Sequence, residues 1–267
     1  MKKKRFKVLI VGISMCIFTV VFYEVKSINS ISNETLAESK SKEPEIAKIE
    51  VTKKPIETKT ETETERVSSA FIHVPIIKQK PELYNGCEVT SLTMLLNWAG
   101  VSVNKLQVAD RIQKDPTPKR EDSSGEIIYW GNPNKGFVGD ITGVKEGYSV
   151  NHGPVVELLD EYLPSKGVDL TGSSFQQILD NVIAGKPVVI WSTIYFVPTN
   201  NWETWDSPDG LVKATFQEHC VLLVGFNQDK KVVYVNDPFD GAKAKAVPMD
   251  NFVKSWEQLG CQAVTIK

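Results

Sequence analysis

The composition of the chain changes sharply near residue 70, and this change limits where a folded core can form. Residues 24–69 contain ten Glu and eight Lys or Arg, but no Gly and no aromatic residue. All six Trp and sixteen of the seventeen Gly lie after residue 85. A segment this rich in charge cannot bury enough apolar surface to offset the entropy lost on ordering. We therefore predict a disordered linker over 24–69 and one folded domain over 70–267.

The first 23 residues carry the pattern of an export signal. Residues 2–7 hold five positive charges, and sixteen uncharged residues follow over 8–23. As a helix this apolar run would span roughly 24 Å, less than the ~30 Å hydrocarbon core of a bilayer. We expect either a cleaved signal peptide or a short uncleaved membrane anchor. Basic residues before the apolar run favour an outward-facing domain, in the envelope of a Gram-positive-like bacterium or secreted from it.

The charge balance and the scarcity of His exclude several kinds of partner. The chain has 31 basic and 33 acidic residues, whereas a nucleic-acid-binding domain needs a basic face. Three His and four Cys show no metal-ligand spacing. We therefore expect a monomeric domain with no nucleic-acid partner, no metal and no cofactor. Outside the cytoplasm, Cys220 and Cys261 are either two free thiols or a disulfide.

Within the domain, helical periodicity comes first and strand-like runs follow. The sequence predicts helices over 88–99, 104–114, 154–162, 174–184 and 250–259. It predicts strands over 188–194, 220–226, 232–235 and 263–266. Long loops are expected over 115–153 and 198–213, and such loops are usually functional or mobile. Helices followed by an antiparallel sheet indicate an α+β domain.

Three residues lie where a thiol hydrolase would need them. Cys87 opens a predicted helix, where free N–H groups and the helix dipole favour the thiolate and lower the thiol pKa. His219 begins the most hydrophobic strand, and Asp237 ends the next, so a hairpin would bring them together. A carboxylate there can fix the tautomer of the ring and orient it. Each residue alone has a structural explanation, but their combination indicates a Cys–His–Asp triad.

Several stretches resemble bacterial double-glycine (bacteriocin-processing) peptidase-like domains, which belong to the papain-like cysteine peptidases. They include Asn85-Gly86-Cys87-Glu88 and cover residues 73–79, 81–91, 130–139, 152–154, 218–225 and 236–238. The resemblance implies a papain-like fold over about residues 71–266, with Cys87 as nucleophile, His219 as base and Asp237 as orienting group. It also implies an upstream Gln that donates to the oxyanion. Gln79 is the match, at a longer spacing from the cysteine than is usual.

The chain departs from the bacteriocin processors in having one long apolar segment and no phosphate-binding Gly-x-x-x-x-Gly-Lys-Ser/Thr motif. We therefore expect an extracytoplasmic thiol hydrolase that cleaves peptide or isopeptide bonds of a peptide or protein substrate through a thioester. One alternative is a non-catalytic envelope module that binds peptide or glycan through Trp202 and Trp205. Another is an acyl transferase, since the same thioester can react with an amine.

Four further residues have two interpretations each. His152 either lines the cleft or lies at the start of the third helix. Glu88 is either a first-turn acid that complements the helix dipole or a substrate contact. Trp202 and Trp205 either belong to a lid or pack against the domain.

Overall fold

A computed structural model describes residues 67–267 of the chain. The predicted signal or anchor over 1–23, and the predicted linker up to residue 66, lie outside the described residues. The first strand, β1 (Ser69–Phe71), begins next to the predicted domain boundary. Within residues 67–267, no helix is both long enough and apolar enough to cross a membrane.

The described part contains five α-helices, each at a place where the sequence predicts one. They are α1 (Cys87–Trp98), α2 (Lys105–Arg111), α3 (His152–Tyr162), α4 (Phe175–Ile183) and α5 (Met249–Gln258). Capping boxes start two of them. Asn104 and Ser174 accept from backbone N–H groups of α2 and α4, and the third helical residue of each returns a side-chain bond.

Strands of the described residues form one large and two small sheets. The strands after β1 are β2 (Lys114–Asp115), β3 (Arg120–Glu121), β4 (Ile127–Tyr129), β5 (Phe137–Val138), β6 (Gly167–Asp169), β7 (Val188–Thr193), β8 (Glu203–Ser207), β9 (Gly210–Ala214), β10 (Glu218–Asn227), β11 (Val232–Asp237), β12 (Ala242–Pro248) and β13 (Ala263–Ile266). The large sheet has the order β12-β11-β10-β7-β13-β6, and β1 also pairs with β10. All of its pairs are antiparallel. The α+β prediction is confirmed.

The main core lies between this sheet and the helices. Residues 219–226 of β10 are all buried, as are all six residues of β7. Helix α1 packs on both strands, α4 also packs on β10, and α5 packs on β7. Strands covered in this way read as continuous apolar runs rather than as alternating patterns. This burial fixes the starts of α1 and β10, where Cys87 and His219 lie.

The prediction of a long loop over 198–213 is wrong. Strands β8 and β9 form an antiparallel hairpin there and join β3 and β4 in a four-stranded sheet. Trp205 is 1% exposed, and its indole N–H donates to the Gly131 carbonyl at 2.9 Å. Its ring packs on Trp130 and Tyr148, at centroid distances of 5.7 and 5.4 Å. Short strands with few apolar residues gave the sequence pattern too little signal.

Candidate active site

The four predicted site residues lie together, although they come from four parts of the chain. Cys87 is supplied by α1, His219 by β10 and Gln79 by the segment before α1. All three line one cavity of about 260 Å³. Asp237, the last residue of β11, reaches the same place through its hydrogen bond to His219.

The His219–Asp237 pair is made by the β10–β11 hairpin. Antiparallel pairing sets Leu222 opposite Asn236, so the start of β10 meets the end of β11. His219 Nε2 lies 2.8 Å from Asp237 Oδ1, and the two side chains are 2% and 3% exposed. A carboxylate can only accept, so Nε2 carries the proton and donates it. Nδ1 is then the ring nitrogen left to act as a base.

A lysine that the sequence does not predict to be near the site contacts the aspartate of this pair. Lys245 Nζ lies 2.8 Å from Asp237 Oδ2 and 2.8 Å from Asp240 Oδ2. The backbone N–H of Phe239 also donates to Asp237 Oδ1, at 3.0 Å. Burial raises the pKa of Asp237, but the hydrogen bonds and charges of His219 and Lys245 outweigh it and hold that pKa below its ordinary value. Asp237 is therefore a fixed carboxylate.

Cys87 is the first residue of α1, and the residue as a whole is 8% exposed. Sγ donates to Glu88 Oε2 at 3.4 Å, and no hydrogen bond joins it to His219 among residues 67–267. Burial raises the pKa of Cys87 well above its ordinary value, and the charges of Glu88 and Glu218 add to the rise. The expected lowering is therefore wrong for this arrangement. A helix N-terminus stabilises a nearby negative charge by typically 0.3–1 kcal/mol. This is less than the free energy that corresponds to the rise of several pKa units imposed by full burial.

Two buried carboxyl groups lie beside the thiol. Glu88 is completely buried, and its Oε1 accepts from the Ser149 hydroxyl at 2.7 Å and from the Val150 N–H at 3.0 Å. It lies in the first turn of α1, as expected for an acid that complements the helix dipole, and it does not line the cleft. One carboxyl oxygen each of Glu88 and Glu218 lies within 4.8 Å of the other and of Cys87 Sγ. Burial raises the pKa of both glutamates, and Glu88 raises that of Glu218 further.

Gln79 lines the same cleft as Cys87, and its predicted role as oxyanion donor stays a prediction. It is 2% exposed, and Nε2 donates to the Tyr84 carbonyl at 2.7 Å. Its backbone N–H donates to the Pro238 carbonyl at 2.8 Å, which links it to the residue after Asp237. An amide group carries two hydrogens, so one remains for a substrate oxygen.

Exposed aromatic rings form the rim of the cleft. Tyr84, Phe216 and Phe239 line it, and they are 57%, 49% and 37% exposed. Lys80 Nζ lies 4.0 Å from the Tyr84 ring centroid and 3.7 Å from that of Phe239, so one ammonium contacts both rings. Tyr84, Phe216 and Gly147 also line an adjoining depression of about 540 Å³. The cleft is therefore elongated.

Other residues singled out in the sequence do not line the cleft. His152 begins α3 and contacts Asp169 Oδ2 through Nδ1, at 2.7 Å. Trp202 donates to the Thr199 carbonyl at 3.1 Å, and Trp205 is a core residue of the small sheet. Cys220 and Cys261 are both free, so the described residues contain no disulfide between them.

Comparison with known proteins bears on the whole domain. Residues 71–264 match the Peptidase_C39 like family. The chain is 41% identical over 187 residues to the uncharacterized protein YvpB of Bacillus subtilis (strain 168), an alignment that covers 70% of this chain and 71% of that protein. A crystal structure from Bacillus anthracis, provisionally described as a C39-like peptidase, has 41% identity and a TM-score of 0.67, covering 74% of this chain and 97% of the other.

A double glycine motif protease from an AMS/PCAT transporter, solved with its leader peptide, is more distant. It has 17% identity and a TM-score of 0.41, and the match covers 74% of this chain and 94% of that one. The family resemblance and the papain-like α+β fold expected from the sequence are confirmed by the nearer matches.

Proposed function

The chain belongs to the Peptidase_C39 like family, and we propose that it is an extracytoplasmic cysteine peptidase with Cys87, His219 and Asp237 as its triad. The observation that carries this proposal is the 2.8 Å contact between His219 Nε2 and Asp237 Oδ1, made by a histidine that lines the same cleft as Cys87. A domain that only bound a ligand would need neither a cysteine in the cleft nor an oriented imidazole beside it.

In the mechanism that we propose, each proton step uses one named atom. His219 Nδ1 takes the proton from Cys87 Sγ as sulfur attacks the scissile carbonyl carbon. Asp237 stabilises the imidazolium that results. His219 then gives the proton to the leaving amine as the C–N bond breaks, which leaves a thioester on Cys87. Water, deprotonated by His219, hydrolyses the thioester and restores the thiol.

Charge that develops on the substrate oxygen would be met by two donors. The backbone N–H of Cys87 lies in the first turn of α1, where N–H groups lack intrahelical partners. The second donor would be the free amide hydrogen of Gln79. Removing one donor of this kind typically costs about 10² to 10³ in kcat. Loss of the Gln79 amide should therefore reduce the rate strongly without abolishing it.

The shape of the cleft supports a peptide or protein substrate. Its aromatic rim and the adjoining depression offer contacts on more than one side of the scissile bond. Aromatic side chains supply large apolar contact areas that suit extended chains. The predicted orientation of the N-terminal segment would place this cleft outside the cytoplasm, so envelope peptides or isopeptide cross-links are the substrates we propose.

The proposal predicts that a peptidyl electrophile labels the full-length, reduced protein at Cys87. Cys87→Ala should abolish labelling because the nucleophile is missing, and His219→Ala should slow it by about 10² to 10⁴ because the base is missing. Mass spectrometry of the adduct locates the site. Cys261→Ser is the matched control and should label like the wild type, since Cys261 is a free thiol that does not line the cleft.

An unlabelled but reduced wild type would contradict the peptidase proposal. A peptide or glycan that is retained equally by Cys87→Ala, with no turnover by the wild type, would instead identify a binding module. Capture of an added amine in the product would identify acyl transfer.

A further inference from the structure

The thiol of Cys87 is hydrogen-bonded to a carboxylate that the triad mechanism does not use. Glu88 receives three donors: the Ser149 hydroxyl, the Val150 N–H and the Cys87 thiol, at 2.7, 3.0 and 3.4 Å. Hydrogen bonds to the charged form favour ionisation, so these donors favour Glu88 as a carboxylate despite its burial. A negative charge this close to sulfur disfavours a second negative charge on the thiolate.

Glu218 is the second carboxyl group beside this thiol, and one of its oxygens lacks a hydrogen-bond partner among the described residues. Its Oε1 is buried and has no hydrogen-bond partner among the described residues. Its carboxyl group approaches within 4.8 Å of both Glu88 and Cys87 Sγ. Two carboxylates that share a buried site cannot both ionise easily, so one retains a proton. Glu218 is the better candidate because Glu88 accepts from three donors, whereas Glu218 has only a share in the Ser149 hydroxyl among the described residues.

We propose that Glu88 and Glu218 share one proton, with the charge on Glu88 and the proton on Glu218, and that this pair keeps Cys87 a neutral thiol in the substrate-free protein. Glu88 is thus a positioning residue that sets the pH at which the nucleophile forms. This role rests on the proposed function, while the protonation of the pair does not. Because the thiolate is the species that oxidises, a neutral resting thiol would also be protected outside the cytoplasm.

The buried titratable groups next to the pair do not neutralise the negative charge of Glu88. The titratable side chains that interact with the pair are Cys87 on α1, Cys220 on β10 and Tyr148 on the segment before α3, and His219 lines the same cleft as Cys87 and Glu218. Burial raises the pKa of both Cys220 and Tyr148, and the glutamates raise them further. These two groups therefore stay neutral and do not compensate Glu88.

The test is the pH dependence of Cys87 alkylation by iodoacetamide in the full-length protein, followed at the Cys87 peptide by mass spectrometry. The wild-type midpoint should lie above about 8.5, the ordinary thiol value. Glu88→Gln should lower it by about 1–3 units, since a neighbouring charge is removed. Glu218→Gln replaces one neutral group by another and should move it by less than about half a unit.

An unchanged midpoint in Glu88→Gln, or an equally large shift in Glu218→Gln, would overturn the proposal. Glu88→Asp keeps the charge and should keep the elevated midpoint, which separates charge from packing. If Glu88→Gln does not fold, infrared spectroscopy of the wild type decides: a protonated carboxyl band should be present at neutral pH and vanish in Glu218→Gln, and its absence from the wild type refutes the proposal. Neither readout needs turnover, so the outcome is independent of whether the protein cleaves peptides.

Discussion

At the scale of single residues, the site depends on a carboxylate whose two oxygens are both held. Asp237 meets His219 through Oδ1 and Lys245 through Oδ2. Lys245 in turn binds Asp240, whose side chain is 46% exposed. The two aspartates therefore share a lysine, but only one of them touches the imidazole. This difference allows a matched pair of substitutions.

Asp237→Asn should reduce the rate of Cys87 labelling by about 10² to 10⁴, because an amide can present a hydrogen to the ring and reverse its tautomer. Asp240→Asn should stay within about fivefold of the wild type, since exposed ion pairs contribute little. The second-order labelling constants measure both. Equal losses in the two variants would show that Lys245, rather than the histidine contact, accounts for the effect.

The proposed triad could be predicted from the sequence, whereas the contacts of the groups around it could not. Cys87, His219 and Asp237 lie at the ends of predicted elements and carry the side chains that thiol chemistry requires. The sequence places Glu88 at the start of a helix, but it does not predict its burial. That burial follows from packing against Ser149 and Val150, which no local pattern encodes. Lys245 was missed because its partner lies on a neighbouring strand.

At the scale of elements, helices and central strands were predictable because each carries its own signal. Capping residues and apolar periodicity located the helices, and Val-rich and Leu-rich runs located β7 and β10. Strand β12 is not predicted from the sequence because residues 242–246 alternate Ala and Lys, without the β-branched residues that are typical of a strand. Since Lys245 lies on β12, its contact with Asp237 cannot be predicted without that strand.

Side-chain bonds from Asn236 hold β11 against its neighbours. Its Nδ2 donates to the Val74 carbonyl, and its Oδ1 accepts from the Ala244 N–H, both at 3.0 Å. The residue is 1% exposed, so these bonds are not replaced by bulk water. Asn236 thus fixes the end of the strand that presents Asp237.

The wall of the cleft has no room for a side chain at Gly147. A Cβ at this position would lie 2.2 Å from the Asp140 carbonyl oxygen and 2.7 Å from Asn85 Nδ2. Gly147→Ala should therefore lower the unfolding free energy by about 1–3 kcal/mol, because backbone must move. It should also slow Cys87 labelling, since Gly147 lines the cleft. Urea unfolding and labelling rates measure the two effects.

Gly153→Ala is the control for that substitution. In the first turn of α3, a Cβ would meet its nearest atom at 4.0 Å. Alanine is a better helix former than glycine, so this variant should be as stable as the wild type or about 0.5–1 kcal/mol more stable. If Gly147→Ala leaves the unfolding free energy unchanged, the backbone of the 139–147 turn can shift to accommodate a Cβ, and the prediction is wrong.

At the scale of the whole molecule, the cleft lies where two hydrophobic cores meet. The main core surrounds α1, β7 and β10, and the small core is built around Trp130 and Trp205. Tyr148 and Phe216 pack on the Trp205 ring and also line the cleft. The small sheet, which the sequence suggested was a loop, therefore supports two of the residues that line the candidate active site.

Burying several carboxyl groups at this site also shapes the pH dependence of folding. Burial raises the pKa of Asp237, but His219 and Lys245 lower it more, so its contribution is present above about pH 3.9 and is lost as pH falls through the folded value. Burial and Glu88 raise the pKa of Glu218, so its contribution is fully present below about pH 4.3. It is then lost as pH rises through the folded value.

Glu218→Gln should consequently gain stability relative to the wild type as pH rises above about 4.3. The gain should be about 1.4 kcal/mol for each unit by which folding raises the Glu218 pKa, because the variant has no proton to lose. Urea unfolding of both proteins at a series of pH values measures this difference. Glu126→Gln, at an exposed glutamate, should give a difference that does not vary with pH. A pH-independent difference for Glu218→Gln as well would mean that Glu218 is ionised in the folded protein, and the burial of its carboxyl group would then require a positive partner.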